Sequence, residues 1–110
     1  MTAEWTNVAR ADDFPPGSCR TLDIDGVAIA VFNVDGHHHA IRDQCTHEAE
    51  LLSGGKLLGD RIVCPAHGAQ FSLLTGEALS PPAYEPVAIF LVRVKNGMVQ
   101  VKKNSSRNAS

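Results

Sequence analysis

At 110 residues the chain has room for one domain with a real hydrophobic core, and not for two. Its hydrophobic fraction of 44% and charged fraction of 20% are those of an ordinary globular protein, and a formal net charge of −2 excludes the basic face of a general nucleic-acid binder. No apolar run approaches the roughly 20 residues that span a bilayer, and Met1-Thr2-Ala3-Glu4-Trp5 lacks a basic stretch followed by an apolar one. Neither a membrane nor a secretory route is expected, and the expected location is the cytoplasm.

In chain order, Ala11 to Phe14, just before Pro15-Pro16-Gly17, suits one helical turn. Val27 to Val34 is rich in β-branched residues and lies between Asp25-Gly26 and Asp35-Gly36. Both dipeptides suit tight hairpins because glycine accepts the positive φ such turns require. From Gln44 to Pro82 the character changes: five glycines, short strands and long loops form an insert between β-rich flanks. Val87 to Lys95 reads as a strand, Asn96-Gly97 as its turn, and Met98 to Lys102 as the returning strand. The polar segment Lys103 to Ser110 is expected to be a disordered tail. No window of a dozen residues keeps a 3.6-residue apolar period, so the predicted fold class is all-β, a sandwich or barrel, in one domain over residues 1–102.

Three cysteines are too few, and odd in number, for a disulfide framework. Reduced thiols are available as metal ligands. The chemistry concentrates in Cys45-Thr46-His47 and, after a gap of sixteen residues, in Cys64-Pro65-Ala66-His67. Each pair joins one soft thiolate to one imidazole on a loop. Two Cys and two His can hold a tetrahedral zinc or a [2Fe–2S] cluster. Structural zinc sites usually pair like ligands two to four residues apart. Here one residue separates the first pair and both loops mix ligand types. That mixing suits a cluster in which one iron takes both thiolates and the other both imidazoles. Gly54, Gly55 and Gly68 are expected to let backbone N–H groups approach the sulfurs.

The pattern C-x-H, a gap of about sixteen residues, then C-x-x-H resembles the Rieske family. It is most similar to the ferredoxin components of bacterial aromatic-ring-hydroxylating dioxygenases. The likeness runs from Trp5 to about Val101 and includes Gly76-Glu-Ala-Leu-Ser-Pro-Pro-Ala83. The resemblance implies a β-rich base carrying a small cluster-binding subdomain over about residues 44–82. Cys45 and Cys64 would bind an inner iron, and His47 and His67 an outer one. Ser80 to Ala83 would form a third loop shielding one side. It further implies a one-electron carrier rather than an enzyme. A flavin-containing NAD(P)H-dependent reductase would act upstream and a terminal oxygenase downstream, for an aromatic substrate such as biphenyl, naphthalene or carbazole. A monomer suits a mobile carrier.

Two departures from the respiratory members of that family bear on redox behaviour. Those proteins join a further cysteine in each cluster loop as a disulfide, whereas the corresponding positions here are Glu50 and Ala66. They also place a serine and a tyrosine after the second histidine, with hydroxyls directed at sulfur. Ala69 and Phe71 stand there in this chain and offer no donor. A diferric core with two sulfides is formally +2, so two thiolates bring it to neutral, and histidine ligation raises the potential over a four-thiolate centre. Missing donors lower it again, which places the expected potential toward the lower end of roughly −150 to +300 mV.

The remaining candidates have plainer readings. Cys19 has no partner at ligand spacing and is expected to be a buried or half-buried thiol. His37-His38-His39 resembles a metal-binding tract, yet it follows the Asp35-Gly36 turn and is expected to be a solvated hairpin tip. Glu48 and Glu50 are either docking residues or solvated surface. Two competing functions remain distinguishable. The small subunit of an assimilatory nitrite reductase shares the fold but generally lacks the four ligands present here. A zinc-stabilised interaction module would be colourless.

Overall fold

The computed structural model describes residues 5–45, 50–66, 68–81 and 85–107. Three two-residue turns organise its larger sheet: Asp25-Gly26, Asp35-Gly36 and Asn96-Gly97. All six of these residues have positive φ, the geometry that matches the right-handed twist of flanking antiparallel strands. Asp23 and Asn33 each accept the turn glycine's N–H through a side-chain oxygen, at 2.9 and 2.7 Å. The strands so joined are β2 (Cys19–Ile24), β3 (Val27–Val34), β4 (His37–Arg42), β8 (Ile89–Lys95) and β9 (Met98–Arg107), with β1 (Trp5–Arg10) alongside β9. The six-stranded order is β1-β9-β8-β4-β3-β2. β1 and β2 come into contact at its two edges, so the sheet nearly closes into a barrel. A second sheet, in the order β5-β6-β7, contains β5 (Lys56–Leu58), β6 (Arg61–Val63) and β7 (Gln70–Ser72).

The fold is all-β, as the turn spacing predicts. Short 3₁₀ turns at Ala11–Asp13 and Leu52–Gly54 interrupt it, and no described helix is long and apolar enough to cross a membrane. Side chains of the central strands alternate between two cores, following the period of two that a strand imposes. Ile29, Val31, Ala40, Phe90, Val99 and Val101 pack with Phe14 on one face. Ala30, Phe32, Ile41 and Ile89 face the other way and pack with Ile62, Phe71 and Leu73 of the second sheet and its turn. This two-sided burial explains why β3 reads as a nearly unbroken apolar run.

Two boundaries and one burial differ from the sequence reading. The strand expected from Val87 begins at Ile89, because the Val87 N–H donates to Gly76 O at 2.8 Å and so serves the loop of the second sheet. The tail expected to be disordered from Lys103 continues as strand through Arg107, pairing Phe90 with Ser105 and Ile89 with Arg107. Backbone pairing needs no apolar side chain, so composition alone hides it; residues 108–110 lie outside the described residues. The histidine tract is also not simply a solvated tip. His37 is exposed, but His38 and His39 are half-buried.

His38 stacks edge-on against Phe14 at 5.0 Å between ring centroids, and its buried Nε2 has no hydrogen-bond partner among the described residues. Burial, with the neighbouring His37 charge, pushes its pKa below the ordinary 6.5. Burial and His37 push His39 the same way, against the pull of Asp60. The unfolded chain therefore binds protons that the folded chain refuses. The stability linked to neutral His38 is complete above about pH 6.5 and is lost as pH falls through the lower folded value. Urea midpoints measured from pH 7.5 to pH 5 should fall with acid in the parent protein. In His38→Leu the fall should be smaller, with His39 accounting for part of what remains.

Candidate metal centre

Both cysteines of the mixed pairs lie in the core that joins the two sheets. Cys45 is 2% and Cys64 1% exposed, in one apolar cluster with Leu52, Ile62, Ala69, Phe71 and Val87. No disulfide joins them to each other or to Cys19. Each opens a loop of the same span. The Cys45 N–H donates to Glu50 O at 2.9 Å, and the Cys64 N–H to Ala69 O at 2.7 Å. In both cases a cysteine closes a six-residue loop that carries a histidine in its sequence. Cys45 stands three residues past the end of β4, and Cys64 follows directly on β6, so each thiol is placed from a strand of a different sheet.

The two loops are held together by one close approach. A Cβ built on Gly55 would lie 1.8 Å from Val63 O, 2.9 Å from Val63 C and 3.2 Å from Leu52 O. Its backbone is ordinary (φ −85, ψ −179), so glycine is required here for space and not for conformation. Gly55 follows the 3₁₀ turn Leu52–Gly54 that comes after the first loop, and Val63 is the residue before Cys64. Gly68 serves conformation instead, with φ +79 and its N–H donated to Cys64 O at 3.0 Å. The N–H groups of Gly54, Gly55 and Gly68 themselves donate to the carbonyls of Leu51, Leu52 and Cys64.

A third segment is tied to the second loop's exit. The Leu79 N–H donates to Gln70 O at 2.7 Å, and Ser80 Oγ accepts the Gln70 N–H at 3.0 Å. Pro82 and Ala83, the rest of the expected shielding loop, lie outside the described residues, as do His47, His67 and Glu48. Ala69 and Phe71 are 1% and 0% exposed and put no hydroxyl into this core. Cys19 is half-buried in β2, where burial, then the nearby Asp43 charge, pushes its thiol up to about 11. That makes it an unreactive thiol. Among the described residues no three His, Cys, Asp or Glu side chains gather to hold a metal ion, the His37–His39 tract included.

The Rieske [2Fe–2S] domain family matches residues 4–97. The chain belongs to that family. Among relatives of this Rieske chain, the biphenyl dioxygenase ferredoxin subunit of Pseudomonas sp. (strain KKS102) is 39% identical over 98 residues, covering 88% of this chain and 90% of the relative. Ferredoxin CarAc of Metapseudomonas resinovorans is 41% identical over 102 residues, covering 92% and 95%. A chain in the solved complex of reduced oxygenase and oxidized ferredoxin in carbazole 1,9a-dioxygenase superposes with a TM-score of 0.91 at 38% identity, covering 96% of this chain and 98% of that one.

A [2Fe–2S] cluster is thus the cofactor of this Rieske chain, and the donor chemistry of the described residues fits it. Two buried thiols in one apolar cluster, unbridged and brought in by separate loops, are what sulfur ligation of an iron requires. The Gly55 contact gives this arrangement a direct check. Gly55→Ala forces backbone apart at the junction of the two loops, and overpacking of this kind costs about 1–3 kcal/mol. Gly54→Ala is its control, since a Cβ there meets nothing within 4 Å. Urea unfolding and iron per chain should both fall in Gly55→Ala and stay near the parent values in Gly54→Ala.

Proposed function

We propose that this Rieske chain is the ferredoxin component of a bacterial multicomponent dioxygenase. It would carry single electrons from a flavin-containing NAD(P)H-dependent reductase to a terminal oxygenase that attacks an aromatic ring, with biphenyl, naphthalene or carbazole as the kind of substrate. The observation that carries this reading is the near full-length match to stand-alone ferredoxin components. It is joined to a core in which Cys45 and Cys64 open matched loops. On this reading the chain is a carrier and performs no substrate chemistry of its own. Oxygen activation would need a further iron site, typically two histidines and a carboxylate.

Residues 44–82 form the cluster-binding unit in this proposal. Cys45 and Cys64 supply thiolates to the inner iron, and His47 and His67 supply imidazoles to the outer one. When bound, the cluster supplies a one-electron couple. The chain's own part is to keep the sulfur side dry, through the apolar packing of Leu52, Ala69, Phe71 and Val87 around the two cysteines. Ser80, tied to the Gln70 N–H, anchors the start of a shielding loop over 80–83. The exposed Glu50, whose carbonyl closes the first loop, stands at its rim as a contact for a basic partner surface, with Glu48 beside it in sequence.

Protein purified without oxygen should contain two irons and two acid-labile sulfides per chain. It should be reddish brown, bleach on reduction, and pass electrons from such a reductase to a ring-hydroxylating oxygenase. A colourless protein containing zinc, or one from which no such oxygenase accepts electrons, overturns the proposal. Ala69→Ser combined with Phe71→Tyr restores hydroxyl donors in the core around the cysteines. It should raise the potential by on the order of 100 mV, because sulfur hydrogen bonds are among the levers that spread Rieske potentials. Redox titration followed by visible absorbance reads the shift.

A further inference from the structure

Asp43 is a buried charged residue that the ligand assignment does not use. It is 3% exposed, and its N–H donates to Ala28 O at 2.8 Å, which pins it to the start of β3. Its Oδ1 accepts the Ser53 backbone N–H at 2.7 Å, and its Oδ2 accepts the Ser53 hydroxyl at 2.7 Å. Both oxygens act as acceptors, the pattern of an ionised carboxylate. Ser53 sits in the 3₁₀ turn Leu52–Gly54, beyond the first cysteine loop. The clasp from Asp43 to Ser53 therefore encloses that whole loop and closes its base. Removing a carboxylate from water is costly, and a buried charge is weak evidence for stability by itself. Its field already reaches the core, since it helps burial raise the Cys19 thiol.

We propose that Asp43 is a positioning residue of the [2Fe–2S] centre: with Ser53 it closes the first cysteine loop, and its fixed negative charge lowers the reduction potential. The proposal rests on Cys45 being a ligand. Asp43 stands two positions before Cys45, a span of at most about 7 Å between Cα atoms. Reduction adds a negative charge to the centre. A fixed negative charge at that range, in surroundings with an effective dielectric near 20, opposes the added electron by roughly tenfold or more in the equilibrium.

Asp43→Asn separates charge from geometry. Its amide oxygen can still accept the Ser53 N–H, and its NH₂ can donate to the Ser53 hydroxyl. Ser53→Ala does the reverse, keeping the charge and losing one side of the clasp. Iron and sulfide content, the potential, and the rate of iron release to a chelator are measured on both variants. Asp43→Asn should retain its iron and sulfide while the reduced-to-oxidised ratio at a fixed ambient potential rises about tenfold, ~59 mV for a one-electron couple. Ser53→Ala should release iron several-fold faster, with a potential no higher than the parent's. An unchanged potential in an iron-loaded Asp43→Asn overturns the charge role. Should Asp43→Asn hold no iron, Ser53→Ala decides, and release at the parent rate overturns the clasp. Parent protein without iron and sulfide would sink the ligand assignment first, and this proposal with it.

Discussion

Between Gly55 and Val63 the two backbones come so close that no side chain fits, and the second sheet is built outward from that contact. The pairing of β5 with β6 begins beside it, with Lys56 opposite Val63. Cys64 is the next residue on one side, and the turn bearing Leu52 and Ser53 lies on the other. A backbone approach of this kind has no torsional freedom comparable to that of a side-chain contact. It fixes the turn that follows one cysteine loop against the entrance of the other, which side-chain packing alone does less rigidly. The residue before Cys64 is held where it is by a missing Cβ.

That junction would be of little use on a loose base. In β3, and where β4 and β8 meet, neighbouring residues serve opposite cores: Ile29 and Ala30, Ala40 and Ala30's partner Ile41, Phe90 and Ile89. A shift of β4 by one residue would move Ile41 out of the thiol-bearing core and into the barrel interior. Register at the end of β4, where Cys45 emerges, is therefore enforced from both sides of the sheet. The barrel acts as a rigid mount, and the loops inherit its precision.

Much of this was legible in the sequence, for physical reasons that also explain what was not. Asp25-Gly26, Asp35-Gly36 and Asn96-Gly97 announce their turns because the required φ values exclude most other residues locally. The mixed Cys/His pairs stood out because such chemistry resides in residue type and spacing; the fold brings Cys45 and Cys64 into one buried cluster, while His47 and His67 lie outside the described residues. What the sequence concealed depends on partners distant along the chain. The strand through Arg107 is held by backbone groups of β8, to which side-chain composition is blind. His38 is half-buried because Phe14, 24 positions earlier, lies against it. The Asp43–Ser53 clasp looks like two ordinary polar residues until the fold buries one of them. Gly55 sits beside Gly54 with nothing in the sequence to show that only one of the pair is sterically required.

The polar inventory around the thiols also has a direction. With Cys45 and Cys64 as the proposed ligands, adding an electron places negative charge beside a core lined by Leu52, Ala69, Phe71 and Val87, none of which offers a side-chain donor to receive it. Water is kept out by the same packing, so solvent cannot compensate for the missing donors. An environment with few dipoles to reorient stabilises the reduced form poorly. It also changes little between oxidation states, which favours rapid exchange of the electron. In the ligand assignment proposed above, a low potential and a stiff apolar surround are two consequences of one choice of residues. Together they suit a carrier that must give up its electron as readily as it accepts one.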